Sequence, residues 1–224
     1  IPVVGNHEFQ SIKGSTPKRV SIQWRPQFNL PVEKNLDKKL HETVYSVNYQ
    51  DVLILVLNSN ELLEEQTEYI KDKLRNSTAK WKIVTCHHSV FSPAKGRDFE
   101  FARKYWKPLF DEYGVDLVLN GHDHTYARGH IPIKSTDNDK LTNFNTLYVT
   151  SVSGPKQYKL GLDQIENYKL DGYKADKLGE QTQFFQVISI SKNKLTYTAY
   201  TVLGNEYDKA VIIKDFSSGK KTLQ

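Results

Sequence analysis

Cysteine and methionine are nearly missing from this chain of 224 residues: there is one cysteine, Cys86, and no methionine. A lone thiol closes no intramolecular disulfide and builds no thiolate zinc cluster, which excludes a disulfide scaffold and a zinc finger. A start at Ile1-Pro2-Val3-Val4-Gly5 instead of methionine leads us to expect the later part of a longer protein, with any secretion signal lying upstream. No apolar run approaches the ~20 residues that cross a bilayer. The longest, Val52 to Leu57, suits a buried strand, so no membrane insertion is expected.

Charge is not concentrated either. The 31 Lys+Arg and 26 Asp+Glu leave +5, and lysines such as Lys34, Lys38, Lys39, Lys156, Lys159 and Lys220 are scattered. No basic run alternates with aromatics, so the surface reads as a solvated basic one and no nucleic-acid specificity is expected. With 38% hydrophobic and 25% charged residues of mixed sign, the composition is that of a globular domain.

Strand and helix signals follow one another with short connections, the pattern of an α/β fold. Ile1–Val4 reads as the end of a strand stopped by Gly5, and 44–49 with 52–57 as a hairpin turning at Gln50-Asp51. Asn58-Ser59-Asn60 offers capping side chains for a helix from Glu61 to about Arg75. Residues 81–86 and 115–119 read as further strands, and 98–113 as a helix that Pro108 kinks or restarts. Beyond Asn120-Gly121 the pattern is mainly β: a polar loop near 135–145, a strand at 146–152, a loop to about Gln181, then strands at 183–190, 195–202 and 210–213. Residues 1–216 are expected to form one domain and 217–224 a disordered tail.

Three segments share a design in which a short apolar strand runs into a polar turn carrying histidine. They are Ile1 to Glu8 with Asn6-His7, Lys82 to His88 with His87-His88, and Val115 to His124 with Gly121-His122-Asp123-His124. In open α/β sheets, sites collect beyond the carboxyl ends of strands, so these turns are expected to converge. In an extended segment residues two apart share a side, so His122 and His124 would both face a metal site. The same alternation sets His87 and His88 on opposite sides, and at most one of them serves a given centre. Cys86 reads as a small buried apolar residue. An amide oxygen from Asn6 is a neutral donor suited to a centre that already carries anionic bridges. Lys95, Arg97 and Arg128 are candidate anion contacts through their charge; His41 and His130 read as structural or solvent-facing.

The blocks Gly5-Asn6-His7-Glu8, Val84-Thr85-Cys86-His87 and Gly121-His122-Asp123-His124 resemble the last three of five metal-binding blocks of calcineurin-like metallophosphoesterases, with the flavour of purple acid phosphatases. The resemblance implies a fold of two β-sheets sandwiched between helices, N-terminally incomplete. It implies metal ligation by Asn6, His87, His122 and His124, with His7 meeting the phosphoryl group and Glu8 orienting it. The implied cofactor is a pair of metal ions, iron with zinc, manganese or iron. The implied reaction is hydrolysis of a small phosphorylated substrate by a phosphomonoesterase, with a periplasmic or secreted location. A phosphodiesterase or nucleotidase with a manganese or zinc pair is the alternative, as is a truncated, inactive phosphatase-like domain.

Two departures qualify these expectations. The family's D-x-G and G-D-x-x-Y blocks, which supply the bridging aspartate and the tyrosine ligand, have no counterpart here. The chain alone is therefore expected to bind one ion or none, since two cations ~4 Å apart repel without an anion between them. Ser92 to Asp98 also lacks the histidines that protonate the leaving group in plant and mammalian relatives, so no general acid is assigned.

Overall fold

A computed structural model of the chain describes residues 1–10, 19–133 and 142–224. The expected strand at Ile1–Val4 does not form: this stretch has no ladder partner among the described residues, although Val4 is fully buried with Phe9 and Trp24. The chain opens instead with a small hairpin of β1 (Phe9–Gln10) and β2 (Arg19–Val20), followed by α1 (Trp24–Gln27) and a 3-10 turn at Lys38–Leu40.

β3 (Tyr45–Tyr49) and β4 (Val52–Val56) make the expected antiparallel hairpin, with Gln50 taking the left-handed backbone (φ 52°) that a tight turn requires. The helix after it begins later than its capping triplet suggests, as α2 (Glu65–Arg75). The reason is local. Asn58 Oδ1 accepts from Asn60 N (3.0 Å), and Gln66 bonds both the N–H and the carbonyl of Asn58 (3.0 and 2.7 Å), so the triplet stabilises a turn ahead of the helix.

β5 (Trp81–Thr85) pairs in parallel with β4. The helix expected at 98–113 is a π turn, Ala102–Trp106, continued by α3 (Lys107–Glu112). Pro108 has no N–H and its ring crowds the preceding turn, so the helix widens there. β6 (Leu117–Asn120) lies parallel to β5 and to β8 (Thr142–Thr150), while β7 (Tyr126–Pro132) runs antiparallel along the other edge of β8. Of the polar loop expected at 135–145, residues 135–141 lie outside the described residues and 142–145 belong to β8. After α4 (Leu162–Asn167) comes β9 (Lys174–Gly179), inside a stretch expected to be loop; it pairs with β7.

β10 (Phe184–Ser191), β11 (Lys194–Thr201) and β12 (Glu206–Lys214) form an antiparallel meander. The expected tail instead holds β13 (Lys221–Leu223), which pairs with β12 and the start of β8 and so joins the meander to the mixed sheet. Lys221 is buried there, donating to Val115 O at 2.8 Å. A lysine with its amine so placed cannot fray without leaving that carbonyl unpaired.

The strand order is β10-β11-β12-β13-β8-β6-β5-β4-β3. Alternation along β5 and β6 divides the core. Val84 and Val118 face α2, α3 and the π turn, with Ile70, Trp106 and Phe110, whereas Ile83 and Leu117 face Leu195, Tyr197 and Ile212 of the meander. Helices on one face of the mixed part of this curled sheet and its meander packed on the other hold the tips of β5 and β6 side by side.

Candidate metal and phosphate site

The parallel register sets Thr85 opposite Leu119, so the turns that leave β5 and β6 emerge together. They are laced to each other: Gly121 N donates to His87 O (2.9 Å), Asn120 Nδ2 to Cys86 O (3.0 Å) and Ser89 Oγ to Gly121 O (2.9 Å). The Gly5-Asn6 turn is tied to the same end by Tyr45 Oη donating to Pro2 O (2.6 Å) and Asn60 Nδ2 to Val4 O (3.3 Å).

Three polar atoms meet as a result. Asn6 Oδ1 lies 2.8 Å from His87 Nε2 and 3.2 Å from His122 Nδ1, and the two ring nitrogens are 3.0 Å apart. With the amide oxygen turned inward, no assignment of protons satisfies every edge of this triangle. If both rings carry N–H, the two hydrogens oppose each other, and if one does, two lone pairs oppose each other along another edge. A cation in the middle satisfies all three. An ion bound at ~2.0–2.1 Å sets neighbouring ligand atoms roughly 2.9 Å apart at right angles and about 3.4 Å apart at tetrahedral angles, so the donor set fits a divalent metal. Among the described residues no three His, Cys, Asp or Glu side chains gather to hold an ion, because the third corner here is an amide.

The local backbone is special. His122 and His124 are both left-handed (φ 67° and 50°), so Gly121 to His124 is a tight turn and not the extended segment expected from its spacing. The two rings therefore part company: His122 joins the triangle, and His124 Nδ1 lies 2.9 Å from Lys156 O. A carbonyl only accepts, so Nδ1 of His124 carries the proton and its lone pair sits on Nε2. Left-handed backbone at two non-glycine residues costs energy and is kept where geometry matters. Gly5 is likewise constrained, since a Cβ there would lie 2.9 Å from both Glu8 Oε2 and the His87 ring.

Burial pushes the imidazolium form of His87 down to about 4 and of His122 down to about 3, helped by neighbouring histidines and Arg97, so both rings are neutral and keep their lone pairs near pH 7. Arg97 reaches the triangle from the opposite side: Nη1 contacts His122 Nε2, Nη2 donates to Tyr158 Oη (3.1 Å), and the guanidinium stacks on the Tyr158 ring at 4.6 Å. Lys95 is exposed on the same loop, which is fixed by Lys95 N donating to Lys159 O (2.9 Å). His7 is exposed beside Asn6, and the Glu8 carboxylate accepts from Gly5 N (2.7 Å), closing the turn.

Arg128 is not brought here. It is buried in the sheet, donating to Asp208 (2.7 and 3.0 Å) and Asp176 (3.0 Å), so two carboxylates already occupy the donors that a phosphate would need. His130 joins that network through Asp176 (2.7 Å). Cys86 is buried, and burial raises its thiol to about 12.

Of the doubled histidines, His87 faces the triangle. His88 sits behind it, bonded to Ser59 Oγ (2.8 Å) with its ring 4.2 Å from that of His122. Sequence reasoning passed over the supporting roles of Ser59, His88, Asn120 and Tyr158. Asn120 could have been found as the polar residue ending a β-strand beside the histidine turn, but Tyr158 lies 34 positions beyond His124 and only folding brings it near.

Residues 1–126 match the model of the calcineurin-like phosphoesterases. Purple acid phosphatase 3 of Arabidopsis thaliana is 31% identical over 147 residues, covering 65% of this chain and 35% of that protein. Purple acid phosphatase 17 of the same plant is 35% identical over 110 residues, 49% of this chain and 30% of that one. The chain thus spans about a third of the length of these curated relatives. In fold it is similar to purple acid phosphatase PPD1 from yellow lupin (Lupinus luteus) seeds, with a TM-score of 0.69 at 19% identity over 96% of this chain and 40% of that one. The family match covers more than half of the chain and includes every corner of the triangle: this chain belongs to the calcineurin-like phosphoesterase family.

Proposed function

We propose that the chain carries metal- and phosphate-binding residues of a hydrolase of phosphate esters, a phosphomonoesterase of the purple acid phosphatase kind. The observation that supports this best is the triangle of Asn6 Oδ1, His87 Nε2 and His122 Nδ1, a donor set that is frustrated without a cation. Asn6, His87 and His122 would hold one divalent ion, and His124 would offer Nε2 to a second. An ion bound there would supply Lewis acidity, polarising a phosphoryl oxygen and lowering the pKa of a water so that hydroxide is available near neutral pH.

The remaining steps belong to side chains. Once the Nδ1 lone pair of His122 is committed to ligation, its Nε2 carries the proton and can no longer accept from Arg97. The guanidinium is then free to turn to the substrate and donate to two phosphoryl oxygens, a geometry that suits its planar fork. Lys95 adds a point charge, and exposed His7 can donate to the phosphoryl group. Tyr158 keeps Arg97 stacked and aimed. A periplasmic or secreted location goes with this reading.

The triangle draws on two imidazoles and an amide and on no carboxylate, which favours a second reading for the isolated chain: it binds one ion and phosphate but turns over slowly. Calorimetric titration with Mn²⁺ tests the first reading and p-nitrophenyl phosphate the second. We expect one equivalent of metal bound, lost in His122→Ala, with hydrolysis at background. No metal uptake would discard the ligand assignment, and robust metal-dependent turnover would discard the slow-chain reading.

A further inference from the structure

One carboxylate stands inside the histidine turn itself. Asp123, between His122 and His124, is 1% exposed and forms no ion pair among the described residues. Its Oδ2 is buried without a hydrogen-bond partner among them. A charge taken out of water is normally paired or set beside a metal, because its desolvation is otherwise uncompensated.

The backbone explains why this side chain points inward. Asp123 N donates to Gly121 O (2.8 Å) across His122, whose φ is 67°, so His122 is the middle residue of a γ-turn of the rare, strained hand. The turn reverses the chain there: the half-buried rings of His122 and His124 go to the site, and the carboxyl of Asp123 goes beneath it, towards the loop after β5. The hydroxyls of Ser89 and Ser92 face the carboxyl, but Ser89 Oγ donates to Gly121 O (2.9 Å) and Ser92 Oγ has no partner among the described residues. Arg97 attracts the carboxyl from a distance while its own donors are engaged with His122 and Tyr158.

The triangle of Asn6, His87 and His122 is a neutral donor set, so a divalent ion entering it brings charge that none of its three ligands offsets. Resting on the metal-site reading above, we propose that Asp123 is the counter-charge of this centre: its carboxylate, buried directly behind the turn, offsets the charge of the bound ion through the low-dielectric interior without ligating it. The unpaired burial of Asp123 and the neutrality of the triangle then answer each other, since each lacks the charge that the other supplies once the ion is bound.

The test is calorimetric titration with Mn²⁺, together with urea unfolding of the metal-free protein, on wild type, Asp123→Asn, Asp123→Ser and Ser92→Ala. Asparagine keeps the shape and removes the charge. We expect both Asp123 variants to lose about 10-fold or more in Mn²⁺ affinity. The unfolding midpoint of the metal-free protein should hold or rise in them, because an uncompensated charge has left the interior. Ser92→Ala keeps the charge and should bind Mn²⁺ within about 2-fold of wild type. Binding by Asp123→Asn within about 2-fold of wild type overturns the proposal and leaves the metal reading standing. Loss of metal affinity together with metal-free stability in both Asp123 variants makes the residue a structural peg and overturns it as well. A wild type that takes up no Mn²⁺ brings down the metal reading and the counter-charge with it.

Discussion

His87 Nε2 and His122 Nδ1 stand 3.0 Å apart although 35 residues separate them in the chain. Two imidazole nitrogens so close share at most one proton comfortably, and Asn6 Oδ1 crowds both. In the proposed reading a cation would sit among these three atoms, and that reading can be probed one residue at a time.

Removing a corner should abolish tight binding. Outer partners of metal ligands are worth about 10–100-fold in affinity, so His87→Ala or His122→Ala should cost more than about 100-fold in Mn²⁺ or Zn²⁺ binding. Calorimetry on each variant checks this, and an affinity within a few-fold of wild type would show the corner to be dispensable.

Crowding a corner should do nearly as much without removing a ligand. Gly5→Ala places a Cβ 2.9 Å from both Glu8 Oε2 and the His87 ring, so one of them must move. We expect metal affinity to fall about 10-fold or more with the unfolding midpoint in urea little changed.

Arg97 should separate phosphate from metal. Charge-assisted hydrogen bonds contribute about 1.5–3 kcal/mol, so Arg97→Gln should weaken inorganic phosphate binding by about 10-fold or more and leave metal binding near wild type. Parallel titrations with phosphate and with metal decide it, and loss of both together would make Arg97 a structural residue.

Arg128 should matter for stability alone. Burial by itself would raise the Asp208 carboxyl, but hydrogen bonds from Arg128 and Tyr126 outweigh it and hold the group below the ordinary aspartate value of 3.8. A carboxyl lowered on folding adds stability that is present above its unfolded value and lost as pH falls through the folded one. Arg128→Met should therefore cost about 3–5 kcal/mol near pH 7, because it strands buried carboxylates, and should flatten the loss of stability in acid below about pH 4. Urea unfolding of both proteins at pH 7 and pH 3 measures it.

Cys86 should be silent. With its thiol raised to about 12 and buried, the folded protein should resist a disulfide reagent at pH 8 and react fully once denatured. Rapid labelling of the native state would mean that the β5 tip opens.

Much of the fold could be read from residue pattern because it rests on local periodicity. The β3–β4 hairpin and the strands around Trp81, Leu117, Phe184 and Lys194 carry alternating or continuous apolar runs, and these set where strands form regardless of partner. β9 is polar and β13 is only three residues long, and they exist because β7 and β12 offer them unpaired edges, a tertiary cause that leaves no mark on their own composition.

The site divides in the same way. Which side chains are candidates for the chemistry was written in the order of Asn6, His87 and His122 after their strand-like segments, since those residue types at strand ends have few other uses. Whether they meet, and which atoms of each, was decided by the parallel register of β5 and β6 and by the left-handed turn at His122 and His124. The fate of Arg128 was decided there too, because a guanidinium seeks the nearest carboxylates, and only the pairing of β7 with β9 and the approach of β12 put Asp176 and Asp208 within its reach.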